Sequence, residues 1–454
     1  MSRANREKHL KTIDLLSQAV EVVSRLVKEE NLQDSLVLLA ECQDSAIALG
    51  NHIEKLSGLE TRTVRMLEQY CEALYQCSVA LDESVAIESA IQTLQQKAEL
   101  VRSTYEDEFP DRKEVVFLPY NASMWDSLES VWMAARDDEA CDAYVVPIPY
   151  YSFDDNHCVK EYHYEGDSYP DYVPVTPYQE YDLELHHPDM IFIHNPYDEC
   201  NAVTSVAPEY YAAKIKDYTD KLVYIPYFIL KEVEPDNQLV IEYMKHFCYL
   251  PGTRYADQVI VQSEKMRTIY INEYLKAAEE NGEKITREEL EKRILGLGSP
   301  KLDKASTAKR EDITLPEEWH KRMVRPDGSW KKIIFYNTSL TSFLQGNDVY
   351  LDKMQNVFRV FKERQEDVTL LWRPHPLMQE TIANSYPELW EQYQAIVQQY
   401  KQEGWGIYDD SADLDRAIAI SDAYYGDYSS VMMLFQEQGK PVMIQDVNIL
   451  EKME

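Results

Sequence analysis

Four short polar motifs toward the carboxy-terminal end of the chain combine residue types that bind phosphate. In Gly426-Asp-Tyr-Ser-Ser430, a glycine and small hydroxyl residues precede an apolar helical run, which places Ser429 and Ser430 at the start of a predicted helix. Free backbone N–H groups and the helix dipole attract an anion at such a position. The same pattern is typical of an ordinary helix cap. We therefore expect a phosphate-binding turn only in combination with the other motifs.

The other three motifs are Asn337-Thr-Ser339, Arg373-Pro-His-Pro376 and Asp409-Asp410. Each follows a short apolar run typical of a buried strand, and the carboxyl ends of parallel strands share one edge of a sheet, where ligands bind. Arg373 can bind phosphate through its guanidinium, and His375 can donate a hydrogen bond to it. The prolines on either side of His375 fix its backbone. The alternatives are an arginine that pairs with a carboxylate and a structural histidine.

The elements that position these motifs form two successive α/β domains with a cleft between them. Residues 6–105 contain no proline and repeat apolar residues at spacings of three and four, which predicts four helices with breaks near 30–31, 50–51, 57–58 and 82–84. Strand-like runs then alternate with helices, and the charged segment 301–319 is typical of a linker. The predicted domains are a helical bundle over 1–108, a first Rossmann-like domain over 109–300, and a second over 301–454. A tyrosine- and aspartate-rich insertion, 150–187, is expected to be a long ordered loop.

Composition excludes several classes of partner. The chain has 46 basic and 80 acidic residues, a formal charge of −34, which argues against non-specific binding to nucleic acid or anionic lipid. Neither a membrane-spanning run nor a signal peptide is recognisable, so we expect a cytoplasmic protein. The seven cysteines show no metal-ligand spacing and are expected to be reduced.

Four motifs in series resemble the CDP-glycerol glycerophosphotransferase family of teichoic-acid polymerases and related capsule enzymes. They are Gly298-Ser-Pro-Lys-Leu-Asp303, Tyr336-Asn-Thr-Ser339, Arg373-Pro-His-Pro376 and Asp427-Tyr-Ser-Ser-Val431, and the resemblance covers residues 113–454. It implies a GT-B fold and the transfer of glycerol phosphate, or a related alditol phosphate, from a CDP-linked donor to a hydroxyl of a cell-wall, teichoic-acid or capsule acceptor. The implied partners are a CDP-alditol and a glycan or polyol-phosphate acceptor, with no cofactor and no metal. Peripheral association with the inner face of the membrane stays open.

The resemblance also implies roles for individual residues. The two catalytic candidates are His194 and His375. The donor- and phosphate-binding candidates are Arg373, Ser429, Ser430, Asn337, Ser339, Lys301 and Asp427. Lys301 stands where the family has arginine, which keeps the charge but weakens bidentate contact. His194 would be the base on the acceptor hydroxyl, oriented by Asp198, although its neighbours differ from the family's Trp-His-Gly-Thr. A capped strand end is the alternative for His194.

Two rival functions stay open. One is a GT-B glycosyltransferase that uses a UDP- or GDP-sugar. The other is a nucleotide-binding scaffold that has lost turnover, with the helical bundle as its docking or self-association module. A bundle that only packs on itself is equally compatible with the pattern, and the tyrosine-rich insertion could form either a lid or a platform for a sugar acceptor.

Overall fold

The structure is a computed structural model. It describes residues 1–58, 60–83, 86–154, 156–230, 232–307, 310, 313–411 and 413–445. A bundle of four helices is followed by two α/β domains, each built on a parallel sheet. The predicted fold class, two Rossmann-like domains of GT-B type after an all-α bundle, is confirmed.

The helices are α1 (Arg3–Lys28), α2 (Leu32–Ser57), α3 (Arg62–Glu83), α4 (Ile87–Glu108), α5 (Glu129–Asp137), α6 (Leu183–His186), α7 (Ala212–Ile215), α8 (Gln238–Met244), α9 (Pro251–Tyr255), α10 (Glu264–Glu280), α11 (Arg287–Arg293), α12 (Pro300–Thr307), α13 (Glu317–Met323), α14 (Leu340–Lys362), α15 (Met378–Ser385), α16 (Pro387–Glu403), α17 (Leu414–Ile420) and α18 (Ser430–Glu437). The strands are β1 (Lys113–Leu118), β2 (Cys141–Val145), β3 (Tyr150–Phe153), β4 (Val159–His163), β5 (Met190–Ile193), β6 (Thr204–Val206), β7 (Leu222–Tyr224), β8 (Gln258–Ile260), β9 (Ile294–Leu295), β10 (Lys332–Thr338), β11 (Val368–Pro374), β12 (Ile407–Tyr408), β13 (Ala423–Gly426) and β14 (Val442–Ile444).

The amino-terminal helices α1 to α4 pack in sequence, and α1 also packs against α4, so the bundle closes on itself around its own apolar core. The predicted break at 50–51 is wrong, because α2 runs through Gly50. Leu49 and Ile53 are buried on either side of it. Burying those side chains outweighs the helix penalty of one glycine, which is about 1 kcal/mol.

The start of α1 attaches the bundle to the first α/β domain. Ser2 Oγ donates a hydrogen bond to the carbonyl oxygen of His186 at 2.7 Å, and Asn5 Nδ2 donates to the carbonyls of Leu185 and His186 at 2.9 and 2.8 Å. These contacts satisfy carbonyl groups at the end of α6, which would otherwise lack partners. The bundle is therefore docked by polar contacts as well as by the chain connection.

The first domain contains a six-stranded parallel sheet in the order β2-β1-β5-β7-β8-β9. Both faces of this sheet are buried, since Val116 and Leu118 of β1 join one apolar core while Val115 and Phe117 join another. Near-continuous apolar strands are what two covered faces require. The strands therefore read as short unbroken apolar runs in the sequence.

The tyrosine-rich insertion is not the long loop expected from the sequence. Strands β3 and β4 form an antiparallel hairpin, and β6 completes a separate three-stranded sheet in the order β4-β3-β6. Tyr150 and Ser152 are buried while Tyr151 and Phe153 are more exposed, which is the alternation of a half-buried strand. A polar serine on the buried face hides this alternation from sequence analysis.

The second domain contains a five-stranded parallel sheet in the order β12-β11-β10-β13-β14. The predicted linker over 301–319 is wrong, because α12 and the start of α13 lie within it. Helix α12 packs against α5 of the first domain and against α17 and α18 of the second. It therefore lies between the two sheets and helps to set their relative position.

Candidate active site

Two predicted site residues and one glycine of the predicted phosphate-binding turn lie in one row at the carboxyl end of the second sheet. Asn337 of β10 is in register with Arg373 of β11 on one side and with Gly426 of β13 on the other. Neighbouring strands are about 4.8 Å apart, so β11 and β13 are separated by about 10 Å. Parallel pairing therefore brings the polar motifs to one edge of the sheet.

A cleft of about 270 Å³ lies beside this edge, between the two α/β domains. The second domain contributes residues 373–377, 379–380 and 408–411, and the first contributes residues 121–123 together with Tyr150, Glu165 and Ser168. Polar groups from both domains thus face one another across a concave site. This is the arrangement that a reaction between two bound substrates requires.

His375 presents a hydrogen-bond donor to this cleft. Its backbone N–H donates to the carbonyl oxygen of Thr338 at 2.9 Å, and its ring Nδ1 accepts from the N–H of Leu377 at 3.2 Å. Since Nδ1 is an acceptor, the neutral ring carries its proton on Nε2. Burial lowers the pKa of His375 to about 4, so the ring is neutral near pH 7. The Nε2–H group is suited to donate to a phosphoryl oxygen.

Arg373 is paired with a carboxylate, one of the two alternatives left open by the sequence. Its Nη1 donates to Oδ2 of Asp409 at 2.5 Å, and its Nη2 donates to the carbonyl oxygen of Ser411 at 2.6 Å. The other oxygen of Asp409 accepts from the hydroxyl of Ser411 at 2.6 Å and lies 3.8 Å from Arg416. Arg373 therefore holds the loop that forms one wall of the cleft, and its binding of phosphate stays a prediction.

Helix α18 starts at the other end of the row, and the side chain of its cap residue makes no hydrogen bond to the first N–H groups of the helix. Ser429 occupies the cap position, but its Oγ accepts from Nδ2 of Asn337 at 3.0 Å and lies 3.2 Å from the hydroxyl of Tyr424. The first N–H groups of a helix attract an anion. The side chain of Ser430 lies outside the described part of the structure. Gly426 makes the turn, because a Cβ there would lie 2.3 Å from the carbonyl oxygen of Asn337.

Asp427 and Ser339 hold this turn together. Asp427 is fully buried and accepts hydrogen bonds from the N–H of Ser339 at 2.7 Å, from Nζ of Lys353 at 2.5 Å, and from the hydroxyl of Tyr350. Ser339 Oγ in turn accepts from the N–H of Ser342 at 3.2 Å and caps α14. Lys353 was not predicted. The sequence did contain a signal for it, since Lys353 is a charged residue on the apolar face of a predicted helix.

Lys301 makes a buried ion pair between the domains. Its Nζ lies 2.6 Å from Oδ1 of Asp126, and both side chains are about 8% exposed. Asp126 belongs to the short helical turn 122–127 that follows β1, whereas Lys301 lies on α12. The pair fixes α12 against the first domain. Its contribution to donor binding stays a prediction.

His194 is fully buried and is not among the described residues that line the cleft. Its Nε2 accepts from the N–H of Tyr120 at 3.2 Å, and its Nδ1 lies 2.9 Å from Oγ of Ser127, whose own proton goes to the carbonyl of Met124 at 2.7 Å. The proton of the ring is therefore on Nδ1. Burial, with the nearby charge of Lys301, lowers the pKa of His194 to about 3. Its role as the acceptor base stays a prediction.

Asp198 does not orient His194 as expected. Its carboxylate accepts from the N–H of Ala212 at 2.7 Å and from Nδ2 of Asn195 at 3.2 Å. Burial raises the pKa of Asp198 to about 7. The expectation is wrong because the carboxylate is engaged by Ala212 and Asn195, on a backbone that is left-handed at Asp198, with φ of 45°.

Glu165 is the functional candidate that sequence analysis missed. It lies in the insertion and lines the cleft from the first domain. One of its oxygens accepts from the hydroxyl of Tyr150 at 2.5 Å and, more weakly, from Nδ2 of Asn121 at 3.4 Å, and the other accepts from the N–H of Ala122 at 2.8 Å. No motif marks this residue in the sequence.

Among the residues that the structure describes, no cluster of histidine, cysteine, aspartate or glutamate has the arrangement of a metal site. None of the described helices combines the length and the apolar content needed to cross a bilayer.

Comparison with known proteins confirms the family resemblance over part of the chain. Residues 250–449 match the family model of CDP-glycerol:poly(glycerophosphate) glycerophosphotransferase. This range contains all four motifs, from Gly298 to Val431, and runs from α9 of the first domain through β14 of the second. A search of the curated proteins finds no match to the sequence.

Solved structures are similar only at low identity. They include the wall teichoic acid polymerase TagF, at 13% identity and a TM-score of 0.39, covering 85% of this chain and 79% of TagF. The S. aureus MnaA–UDP structure matches at 10% identity and a TM-score of 0.40, covering 73% of this chain and 78% of MnaA. HepE of Anabaena, in complex with UDP and glucose, matches at 13% identity and a TM-score of 0.32, covering 76% of this chain and 83% of HepE. At these values the similarity carries no functional conclusion.

Proposed function

We propose that this protein transfers an alditol phosphate, glycerol phosphate in the first instance, from a CDP-linked donor to a hydroxyl of a glycan or polyol-phosphate acceptor. The family match supports a glycerophosphotransferase. The observation that carries the proposal is that the matched Arg373-Pro-His-Pro376 motif lines the cleft between the domains with a neutral histidine donor.

In this proposal the second domain binds the donor. The Nε2–H group of His375 and the first N–H groups of α18 donate to the phosphoryl oxygens, and the acceptor hydroxyl approaches from the first domain. The hydroxyl oxygen attacks the alditol-side phosphorus, and the bond from that phosphorus to the oxygen of CMP breaks. Fixed N–H donors hold the charge that moves onto the phosphoryl oxygens, which is how such sites lower a barrier.

Binding of the donor is the first test. The wild-type protein should be titrated by calorimetry with CDP-glycerol, CDP-ribitol, CMP, UDP-glucose and GDP-mannose. Removing a hydrogen bond to a charged group costs about 1.5–3 kcal/mol, so His375→Ala should weaken CDP-glycerol binding about 10- to 150-fold. His320→Ala is the matched control, since His320 is an exposed histidine on α13 of the same domain.

The alternatives predict different titrations. Binding of UDP-glucose or GDP-mannose but of no cytidine compound would replace the proposal with a GT-B glycosyltransferase. Binding of CDP-glycerol without release of CMP in the presence of any acceptor would favour a nucleotide-binding scaffold. Loss of CDP-glycerol affinity in His320→Ala but not in His375→Ala would refute the placement of the donor.

A further inference from the structure

Transfer to a hydroxyl requires a group on the acceptor side that can take its proton. In the cleft, the first domain presents Asn121, Ala122, Ser123, Tyr150, Glu165 and Ser168. Amides and alcohols are poor bases, and burial together with the hydrogen bond to Glu165 raises the pKa of Tyr150 well above its usual value. Glu165 is thus the one first-domain group lining the cleft, among the described residues, with a carboxylate able to accept a proton.

His194 is sequestered from the same cleft. Its Nε2 lone pair already accepts the N–H of Tyr120, and its Nδ1 proton is directed at Ser127. To act as a base it would have to break the bond to Tyr120 within a fully buried environment, leaving a backbone N–H unpaired at a cost of about 1–3 kcal/mol. His194 is therefore not among the described residues that line the cleft, and both of its ring nitrogens are already hydrogen-bonded.

Glu165, by contrast, is held in place by hydrogen bonds and can still accept one more. A carboxylate offers about four acceptor positions, and the described donors to Glu165 are the hydroxyl of Tyr150, Nδ2 of Asn121 and the N–H of Ala122. One position on Oε2 is left for the hydroxyl of an acceptor. Fixed geometry of this kind is what a general base needs.

The hairpin also places Glu165 against the donor domain. Lys160 of β4 donates a hydrogen bond through Nζ to Oδ1 of Asn384 on α15, so the hairpin spans from the first domain to the second. Within the cleft, His375 lies on the donor side and Glu165 on the acceptor side. The second-domain carboxylates that line the cleft are less suited, because Asp409 is paired with Arg373, and Asp410 and Glu380 are exposed to solvent.

Resting on the proposed function, we propose that Glu165 of the hairpin insertion, rather than His194, is the catalytic base that deprotonates the acceptor hydroxyl. The hydroxyl proton passes to a carboxylate oxygen of Glu165 as the acceptor oxygen forms its bond to the alditol-side phosphorus. The bond between that phosphorus and the bridging oxygen breaks, and CMP leaves with the electron pair. Glu165 then releases the proton to solvent, so that the proton, the phosphoryl group and the charge all balance.

The test compares Glu165→Gln, His194→Gln and Glu161→Gln. Glu161 lies on β4 of the same hairpin, is exposed and undergoes the same chemical change, so it is the matched control. Three quantities are measured for each: the melting temperature, the affinity for CDP-glycerol, and the rate of CMP release from CDP-glycerol with and without glycerol 3-phosphate as the acceptor probe. General-base catalysis contributes about 10²- to 10⁴-fold in rate.

We expect Glu165→Gln to lose about 10²-fold or more in the rate of CMP release while CDP-glycerol affinity changes less than about threefold. A purely structural role would not produce that separation of rate from binding. In Glu165→Ala, added formate should restore part of the rate, because a small carboxylate can occupy the vacated position. Glu161→Gln should behave as wild type. For His194→Gln, the rate of CMP release per folded molecule should equal the wild-type rate.

Two results would overturn the inference. One is a Glu165→Gln rate within threefold of wild type while folded His194→Gln is inactive. The other is a parallel loss of melting temperature, affinity and rate in Glu165→Gln with no rescue of Glu165→Ala by formate. Failure of the proposed function looks different, since the wild-type protein would then neither bind CDP-glycerol nor release CMP from it, and the inference would fall with it.

Discussion

Replacement of Lys301 by methionine tests how the two α/β domains are held together. Methionine keeps most of the length and the apolar stem of lysine but removes the charge that faces Asp126. The pair lies between α12 and the turn after β1, with Nζ and Oδ1 2.6 Å apart and both side chains about 8% exposed. The substitution therefore leaves a carboxylate buried without its partner.

The magnitude follows from this geometry. At 2.6 Å and an effective dielectric constant of about 20, the attraction between the two charges is about 6 kcal/mol before the cost of desolvating them. Removing one partner of a buried pair typically costs about 3–5 kcal/mol. The second oxygen of Asp126 has no hydrogen-bond partner among the described residues, so no other group can take over. We expect a loss near the upper end of that range.

The assay is urea unfolding of Lys301→Met, Asp126→Asn and the double variant at pH 7. In the double variant the buried charge is gone, so we expect it to recover at least about 2 kcal/mol relative to the sum of the single losses. Lys292→Met is the control. Lys292 pairs with Glu288 on α11, but both side chains are more than 70% exposed, and no resolvable change is expected.

The prediction also decides between two roles for Lys301. If Lys301 binds the donor phosphate directly, Lys301→Met should lower CDP-glycerol affinity while the free energy of unfolding stays within about 1 kcal/mol of wild type. That result would refute the assignment of Lys301 to a structural interdomain pair. A large loss of stability that the double variant fails to recover would also refute it, since the cost would then not arise from the unpaired charge of Asp126.

Three further substitutions test the contacts around the site and in the bundle. Burial raises the pKa of Asp198 to about 7. The protonated carboxyl group therefore makes its full contribution to the free energy of unfolding below pH 4, and this contribution is lost as the pH rises through 7. Asp198→Asn should therefore raise the unfolding free energy at pH 8 by up to about 4 kcal/mol, with no gain at pH 4, and an equal gain at both pH values would contradict this. Gly426→Ala should destabilise the second domain by about 3 kcal/mol or more, because its Cβ would meet the carbonyl oxygen of Asn337 at 2.3 Å, and thermal unfolding close to wild type would show the turn to be tolerant. The buried ring of His9 bonds to His52 at 2.7 Å and burial lowers its pKa to about 3, so folding stability is full above pH 6.5 and falls by up to about 1.4 kcal/mol per pH unit below it. His9→Gln should flatten that acid limb in circular-dichroism titrations, and an unchanged slope would exclude His9 as its source.

The positions of the polar motifs could be predicted because parallel pairing leaves little choice. Asn337, Arg373 and Gly426 each end an apolar run in the sequence, and a parallel register places such ends side by side. The bundle was predictable for a similar reason, since its apolar spacing is strictly helical. The break predicted at Gly50 failed because burial of its neighbours outweighs the weak helix propensity of one glycine.

The partners of the charged residues could not be predicted. A guanidinium that suits a phosphate suits a carboxylate equally well, so the sequence could not decide whether Arg373 faces a ligand or Asp409. The hairpin was hidden for another reason. Its buried face carries Ser152 and its tyrosines are distributed over both faces, so no apolar alternation marks β3 and β4. Glu165 could be found only through contacts with residues 15 to 44 positions away along the chain.

The charges around the cleft indicate how a phosphate would be bound there. The cations in and next to the family motifs are largely neutralised, because a carboxylate pairs with each of them. These pairs are Arg373 with Asp409, Lys301 with Asp126, and Lys353 with Asp427. An incoming pyrophosphate would therefore meet fixed N–H donors, from His375 and from the start of α18, more than unpaired positive charge. Such donors stabilise charge at defined positions without reorganising. They therefore stabilise a phosphoryl group whose charge grows during transfer more than they stabilise a free anion, which net positive charge alone would bind. A chain with a formal charge of −34 can in this way bind a pyrophosphate locally while repelling polyanions from its surface.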